Sequence, residues 1–316
     1  MQESIMNRIA LYVFYHKEGI LEEYVSYYLK GLKAVCSDVV LIANGGLAEE
    51  AKRQLEAMSV RYIIRENKGI DFAAWKAGLS WVGWDKVRQC DELVLCNCSC
   101  YGPVYPLSEA FDRMKDSACD FWGLNRQPDL PGKLVGPAGA RFPMTEHIQS
   151  YFYVFRRRVL LSDVFRAWWD NLVEAGSYWE EIREHELKFS GYLEKAGFVS
   201  DTLMDFQKYC ALAPSGDAWS TCADVQLAED GNPLVKRKAV FSSSDAAIRV
   251  LEHIHYHTEY PVDLLLKDAP NRKYFSLLNI IRFHVMKRLC SGRKRRFYEV
   301  KEKKALLLYY LHLQAK

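Results

Sequence analysis

The apolar positions of the chain alternate between two periods. "RIALYVFY" (8–15) is a β-rich apolar run that stops at His16-Lys17-Glu18-Gly19. From Ile20 the spacing changes: Leu21, Tyr24, Tyr28, Leu32 and Val35 fall on one helical face, with Glu22, Glu23, Lys30 and Lys33 on others. "DVVLIANGG" (38–46) is a second strand closing on Asn44-Gly45-Gly46, followed by a helix over 48–58 and a third strand, "VRYIIREN" (60–67). "KGIDFAAWKAGLSWV" (68–82) is a loop feeding a helix, with Phe72, Trp75, Leu79 and Val82 as its apolar stripe and Asp71 where an N-cap belongs. In "DELVLCNCSCYGP" (91–103), an extended reading puts Cys96, Cys98 and Cys100 on one face and Leu95, Asn97 and Ser99 on the other.

A helix over 107–114 and a short strand, "DFWGLN", continue the series. The βαβαβ alternation predicts an α/β fold, an open, mostly parallel sheet flanked by helices. Ligands of such sheets gather at the carboxyl ends of the strands. The stretch 126–146, rich in proline and glycine, is expected to be a long surface loop over the sheet edge. "HIQSYFYVFRRRVL" (147–160) reads as a strand running into a helix, and "YWEEIREHELKFSGYLEKAGF" (178–198) as a helix. Beyond about residue 200 the pattern weakens, and the last stretch is helical and amphipathic. The expected division is a domain over 1–270 and a basic helical extension over 271–316.

Composition narrows the class. With 316 residues, 49% hydrophobic and 26% charged, the chain is long enough and apolar enough for a globular enzyme. Its net charge of +3 argues against a general nucleic-acid binder. The basic character is concentrated: ten Lys/Arg face two acids between 282 and 304, leaving the remainder net acidic. Such a tail can lie against an anionic membrane surface, or serve as a solvated extension or a dimer contact. Nine cysteines, an odd number, without a cationic leader ahead of a long apolar core, predict a reducing cytoplasm. No apolar run reaches membrane-spanning length. "CNCSC" lacks the paired spacing of a structural zinc site, so packed thiols are expected, with a thiol-based metal or redox protein as a minor alternative.

Five phrases, "VFYHKEGILEEYVSYYLKGL", "RENKGIDFAAWKAGL", "LVLCNCSCYGPVYPL", "DFWGLN" and "HIQSYFYVFRRRVL", together resemble the rhamnan synthesis F family of glycosyltransferases. They keep order and approximate spacing over about 8–200, and the match continues more weakly to about 270. The resemblance implies a GT-A-like fold and transfer of a deoxyhexose, rhamnose from a dTDP-rhamnose-type donor, to bacterial surface polysaccharide. In the family the fourth-strand phrase reads Asn-Asp-Ser, where GT-A enzymes keep an acidic metal-binding motif. Here it is Asn97-Cys98-Ser99. Hard cations prefer oxygen to a thiol, which counts against dependence on Mg²⁺ or Mn²⁺. It also opens a second reading, a catalytically inactive GT-A-like module that binds nucleotide sugar or scaffolds a polysaccharide complex.

Glycosyl transfer needs a cradle for the donor diphosphate, a base for the acceptor hydroxyl and compensation of the leaving charge. The loop Asn67-Lys68-Gly69 before a helix N-terminus offers backbone N–H groups and a cation to a phosphate. Asp71 either caps that helix or bonds the ribose or base, as the resemblance suggests. His16 and Lys17 close the first strand and Asn44 the second at the same edge, Asn97, Cys98 and Ser99 are further donor-site candidates by the resemblance, and Lys76 lies one turn into the helix. Ile182, Glu186, Phe189, Leu193 and Ala196 step by four and three, so Glu186 falls inside an apolar stripe, with Glu180, Glu181 and Glu184 off it. Burial raises a carboxyl toward neutrality, which suits a general base, with Glu184 in reserve. By resemblance, His147, Gln149, Ser150 and Tyr151 face a glycan or lipid-linked acceptor. "HIHYH", read as extended, aligns His253, His255 and His257; the last two are candidate metal ligands by analogy with GT-A enzymes. The expected place of action is the cytoplasmic side of the inner membrane.

Overall fold

Strand β1 (Arg8–Phe14) is buried at all seven positions, as a strand covered on both faces must be. The computed structural model describes residues 6–135, 141–205, 207–209, 225–241, 245–268 and 277–314. Contact density divides the chain into two units, one of residues 1–21, 28–99 and 107–210, the other of residues 22–27, 100–106 and 211–316.

In the first unit β1 pairs in parallel with β2 (Asp38–Asn44) on one side and β4 (Glu92–Asn97) on the other, and β2 with β3 (Arg61–Arg65). Beyond β4 lies β11 (Phe152–Arg156), antiparallel to β4 and to β6 (Phe121–Gly123), and β12 (Ser200–Thr202) closes the sheet parallel to β6. The order is β12-β6-β11-β4-β1-β2-β3. The expected open, mostly parallel sheet is therefore present, with β11 as its antiparallel member. In the register Phe152 stands opposite Cys96. The start of β11 thus shares an edge with the carboxyl ends of β1 to β4.

Helix α1 (Glu23–Lys33) brings Tyr28 edge-on to Tyr12 at 5.1 Å between ring centroids. Helices α2 (Glu49–Ala57), α3 (Ile70–Val82), α4 (Trp84–Gln89) and α5 (Leu107–Met114) follow their strands. Gly78 of α3 is set by packing: a Cβ there would sit 2.4 Å from Ile42 Cδ1, so α3 lies close on the sheet. On that face Phe72 and Trp75 join Phe155, Phe165, Trp169 and Phe189 in one core, fed by α6 (Arg157–Leu160) and α7 (Asp163–Asn171). Burial of these aromatic rings is the main stabilising contribution of the unit.

Three segments differ from the sequence reading. The cysteine strand stops at Asn97, because the chain turns through Cys98-Ser99 into β5 (Cys100–Tyr101). The three thiols do not share a strand face. The proline- and glycine-rich stretch forms strands: β7 (Arg126–Gln127) pairs with β10 (His147–Ile148), and β8 (Leu130–Val135) with β9 (Arg141–Met144). A register shift lies between Leu130 and Leu134, where Pro131 and Gly132 interrupt the ladder; residues 136–140 of the stretch lie outside the described residues. The acidic helix is not uniform either. Between α8 (Tyr178–Glu181) and α9 (Leu187–Lys195), residues Ile182–Glu186 form a π turn.

In the second unit β5 pairs with β13 (Val235–Lys236). "HIHYH" belongs to the helix Asp245–His257 and is not extended. Ala247, Val250, Leu251 and Ile254 are its buried stripe, and this helical spacing outweighs the alternation of the three histidines. The expected C-terminal helices are present as Leu277–Leu289 and Gly292–Gln314, joined by ion pairs from His284 and Lys287 to Glu302 at 2.5 Å each.

Candidate active site

The carboxyl ends of the strands carry polar side chains that mostly hold one another. Asn44, buried at the end of β2, accepts from Arg65 Nη1 at 2.6 Å and donates to Ile70 O at 3.0 Å. Arg65 also donates to Lys68 O at 2.8 Å. Together they fix the loop that leads into α3. Gly69 and Ile70 there have φ of +62° and +46°, and a β-branched residue pays steric strain in that region. Lys68, exposed, pairs with Glu66 at 2.7 Å, and Asn67 is exposed.

Asp71 does not cap α3. Gly69 is the N-cap residue, and the Asp71 carboxylate accepts from Asn97 Nδ2 at 2.7 Å. Asn97 Oδ1 in turn accepts from Ser99 N at 3.1 Å and Ser99 Oγ at 2.6 Å. Burial, with a further contribution from the charge of Glu186, pushes Asp71 up to about 6 despite the stabilising bond from Asn97.

The cap of α3 comes from elsewhere. Glu181 Oε1 accepts from Phe72 N at 2.8 Å. The helix N-terminus expected to cradle a phosphate already holds a carboxyl group. Glu181 is 5% exposed, and its Oε2 finds no hydrogen-bond partner among the described residues. Burial, then the neighbouring Asp71 and Glu186, push it up to about 8. His185 stands 3.7 Å from Oε2, but its Nε2–H donates to Val173 O at 2.9 Å and burial lowers its basicity.

Sequence periodicity placed Glu181 off the apolar stripe; the π turn reverses that. The wider turn rotates Glu181 and His185 inward, while Glu186 stays half-buried. Glu186 Oε1 accepts from Ser150 N at 3.4 Å and lies 3.9 Å from His147 Nε2. Glu184 is held by Arg183 at 2.6 Å and Lys188 at 2.5 Å. A π turn leaves no signature in a hydrophobic pattern, so Glu181 had no signal beyond its place in an acidic helix.

The remaining candidates separate by role. His16 Nδ1 accepts from Glu18 N and Ile20 N at 3.1 and 3.2 Å, shaping the loop after β1, where Lys17 is exposed. Lys76 donates to Asp170 O and Leu172 O at 3.3 and 3.0 Å, at the C-terminal end of α7. Gln149 joins Gln127 and Asn125 at 3.1 and 3.3 Å, and Tyr151 OH donates to Asn125 Oδ1 at 2.5 Å. His253 lies in the second unit, 2.7 Å from Tyr105 OH and stacked on His257; His255 packs edge-on to Tyr256. Cys98 is half-buried, with its N–H donating to Val13 O at 3.0 Å. Burial pushes the Cys36 and Cys90 thiols up to about 12, far from thiolate chemistry; Cys210 and Cys222 lie outside the described residues.

The end of β4 offers an amide engaged with Asp71 and Ser99, a thiol and a hydroxyl. This donor set does not fit a hard dication. Among the described residues no group of three or more His, Cys, Asp and Glu side chains is arranged to hold a metal ion.

Glu181 gives a direct test. Its raised pKa means that the folded chain holds a proton the unfolded chain releases, so stability falls as pH rises from about 4.5 to about 8. Glu181→Gln keeps the acceptor for Phe72 N–H and cannot ionise. Relative to the parent it is expected to gain ~1 kcal/mol or more at the alkaline end of that window, and nothing at the acid end. Urea denaturation at several pH values checks this; a pH-independent difference would show that Glu181 is not the titrating group.

The family described as "Rhamnan synthesis protein F" matches residues 39–315. A protein of Sinorhizobium fredii (strain NBRC 101917 / NGR234), described as uncharacterized protein y4gN, is 25% identical over 195 residues, 62% of this chain and 48% of that protein. The chain thus spans about half the length of this curated relative. Among solved structures, S. aureus TarS 1-349 is similar at 11% identity and a TM-score of 0.36, over 98% of this chain and 92% of that one. A 4-diphosphocytidyl-2C-methyl-D-erythritol synthase is similar at 14% identity and a TM-score of 0.39, over 62% and 86%.

Proposed function

Because this chain belongs to the rhamnan synthesis protein F family, we propose that it is a GT-A-like glycosyltransferase of bacterial surface-polysaccharide synthesis. It moves a deoxyhexose, rhamnose from dTDP-rhamnose, to a glycan or its lipid-linked precursor on the cytoplasmic side of the membrane. The observation that carries this reading is the meeting of Asp71, Asn97, Ser150 and Glu186 at one sheet edge. Carboxylates from α3 and the acidic helix, gathered beside the strand ends, suit recognition of an activated sugar and removal of a proton from its acceptor.

In the proposed step Glu186 takes the proton of the acceptor hydroxyl. The hydroxyl oxygen attacks the anomeric carbon from the face opposite the leaving group. The bond from that carbon to the diphosphate oxygen breaks, the electron pair leaves with the nucleoside diphosphate, and the configuration inverts. Asp71, tied to Asn97, accepts a hydrogen bond from the donor's ribose or base. The exposed Lys17 and Lys68 supply positive charge to the departing diphosphate. Ser150 N–H orients the base, and Glu181 holds the start of α3 so that Asp71 keeps its place.

Released dTDP and transferred sugar, measured with EDTA and with added Mn²⁺, test the proposal; the expected result is turnover that survives chelation. Donor binding without turnover in either condition would favour the inactive sugar-binding module, the reading that Cys98 supports, and absence of donor binding would sink both. Cys98→Asp restores an oxygen donor and is expected to tighten Mn²⁺ binding roughly tenfold or more by calorimetry. Unchanged affinity would mean that position 98 does not face the diphosphate.

A further inference from the structure

The helix Leu277–Leu289 has an outer face that a water-exposed helix of a soluble domain does not need. Leu278 is 76% exposed, Ile281 52%, Val285 46% and Leu289 74%. Their spacing of three, four and four residues keeps them on one stripe. At about 100° per residue, Arg282 falls on one flank of this stripe and Arg288 on the other, both exposed. The opposite side packs inward, with Ile280 buried and Lys287 and His284 bound to Glu302 of the following helix.

The turn after the stripe leads into Arg293, Lys294, Arg295 and Arg296, all exposed, with Phe297 48% exposed beside them. Apolar side chains and cations therefore share one end of the helical pair. No described helix is long and apolar enough to cross a membrane.

We infer that the outer face of Leu277–Leu289, with the adjoining Arg293–Arg296 cluster, docks on an anionic lipid surface. Ile281, Val285 and Leu289 enter the boundary between headgroups and acyl chains. Arg282 and Arg288 extend from the two flanks to headgroup phosphates, carrying their apolar stems with them. The basic cluster adds attraction that depends on the negative charge of the leaflet. Charge decides against a second copy of the chain as the occupant, since a face-to-face pair would bring arginine against arginine. The inference goes beyond the transfer reaction and does not depend on it: the helix binds lipid whether or not the strand-end site turns over sugar.

The test is cosedimentation of the full chain with vesicles of phosphatidylcholine alone and of equal parts phosphatidylcholine and phosphatidylglycerol. The parent is expected to pellet with the anionic vesicles, and high salt should weaken this. Ile281→Asp with Val285→Asp, both exposed positions where folding is checked by circular dichroism, is expected to reduce partitioning roughly tenfold or more. Arg282→Glu with Arg288→Glu should weaken binding to anionic vesicles by a comparable factor. Equal pelleting of parent and variants would overturn the inference. So would failure of the parent to bind, including the case in which sedimentation velocity shows a dimer that Ile281→Asp with Val285→Asp dissolves.

Discussion

Glu186→Gln is expected to lower the turnover of sugar transfer by roughly 10²–10⁴-fold while leaving donor affinity unchanged. The amide keeps the size of the side chain and still offers an oxygen to Ser150 N–H, the bond that spans 3.4 Å in the parent. What it loses is the capacity to take up a proton. The neighbouring carboxyls do not substitute. Glu181 is buried with Oε1 committed to Phe72 N–H, and Asp71 is bound to Asn97. Glu184 is held by Arg183 and Lys188 on the surface. Rate measurement at saturating donor, paired with donor titration by calorimetry, separates the two quantities. Near-normal turnover would remove Glu186 from the mechanism, and a matching loss of donor binding would make it a binding residue.

The largest expected effect on stability lies at the opposite edge of the sheet. Glu92 opens β4 and accepts from Arg8 Nε at 2.8 Å and Nη2 at 2.6 Å, with Arg156 Nε at 3.4 Å. Arg8 and Glu92 are 8% and 5% exposed. Glu92→Ala leaves the Arg8 guanidinium buried against the Phe111 ring with the Val35 carbonyl as its remaining acceptor among the described residues. Removing one partner of a buried pair costs about 3–5 kcal/mol, because the surviving charge keeps its desolvation penalty without its counter-charge. Urea denaturation should show that loss with the denaturant slope unchanged. A loss under ~1 kcal/mol would mean that Arg8 reaches water when Glu92 is gone.

Much of the first unit was legible along the chain because its signals are local. A run such as Ile9 to Phe14 has too many apolar residues in succession for anything but a strand covered on both faces. The switch to helical spacing at Leu21, Tyr24, Tyr28 and Leu32 marks α1 just as plainly. The strand-end position of Asn44 follows from where its run stops. The basic and apolar residues of Leu277–Leu289 could likewise be counted without coordinates. Which of them face outward could not.

Local pattern was insufficient where a partner distant in sequence decides the outcome. Asp71 has the composition of a helix cap, yet the cap is Glu181, more than a hundred residues on, and Asp71 turns to Asn97. "HIHYH" alternates like a strand, yet Ala247, Val250, Leu251 and Ile254 had a core to enter only as a helix. The stretch 126–146 has turn-forming composition, yet backbone groups of 126–127, 130–135 and 141–144 found partners in short ladders.

The sequence by itself determined the strand and helix series from β1 to β4 of the first unit, the family, the thiol at position 98 and the concentration of charge in the tail. Each is carried by residue type or by the spacing of near neighbours. The tertiary structure alone decided which carboxyl is buried and which remains half-exposed, because a single π turn rotates Glu181 inward and leaves Glu186 beside Ser150. Burial and hydrogen bonding depend on what lies opposite in space, and only the folded chain brings α3, β4, the start of β11 and the acidic helix to the same place.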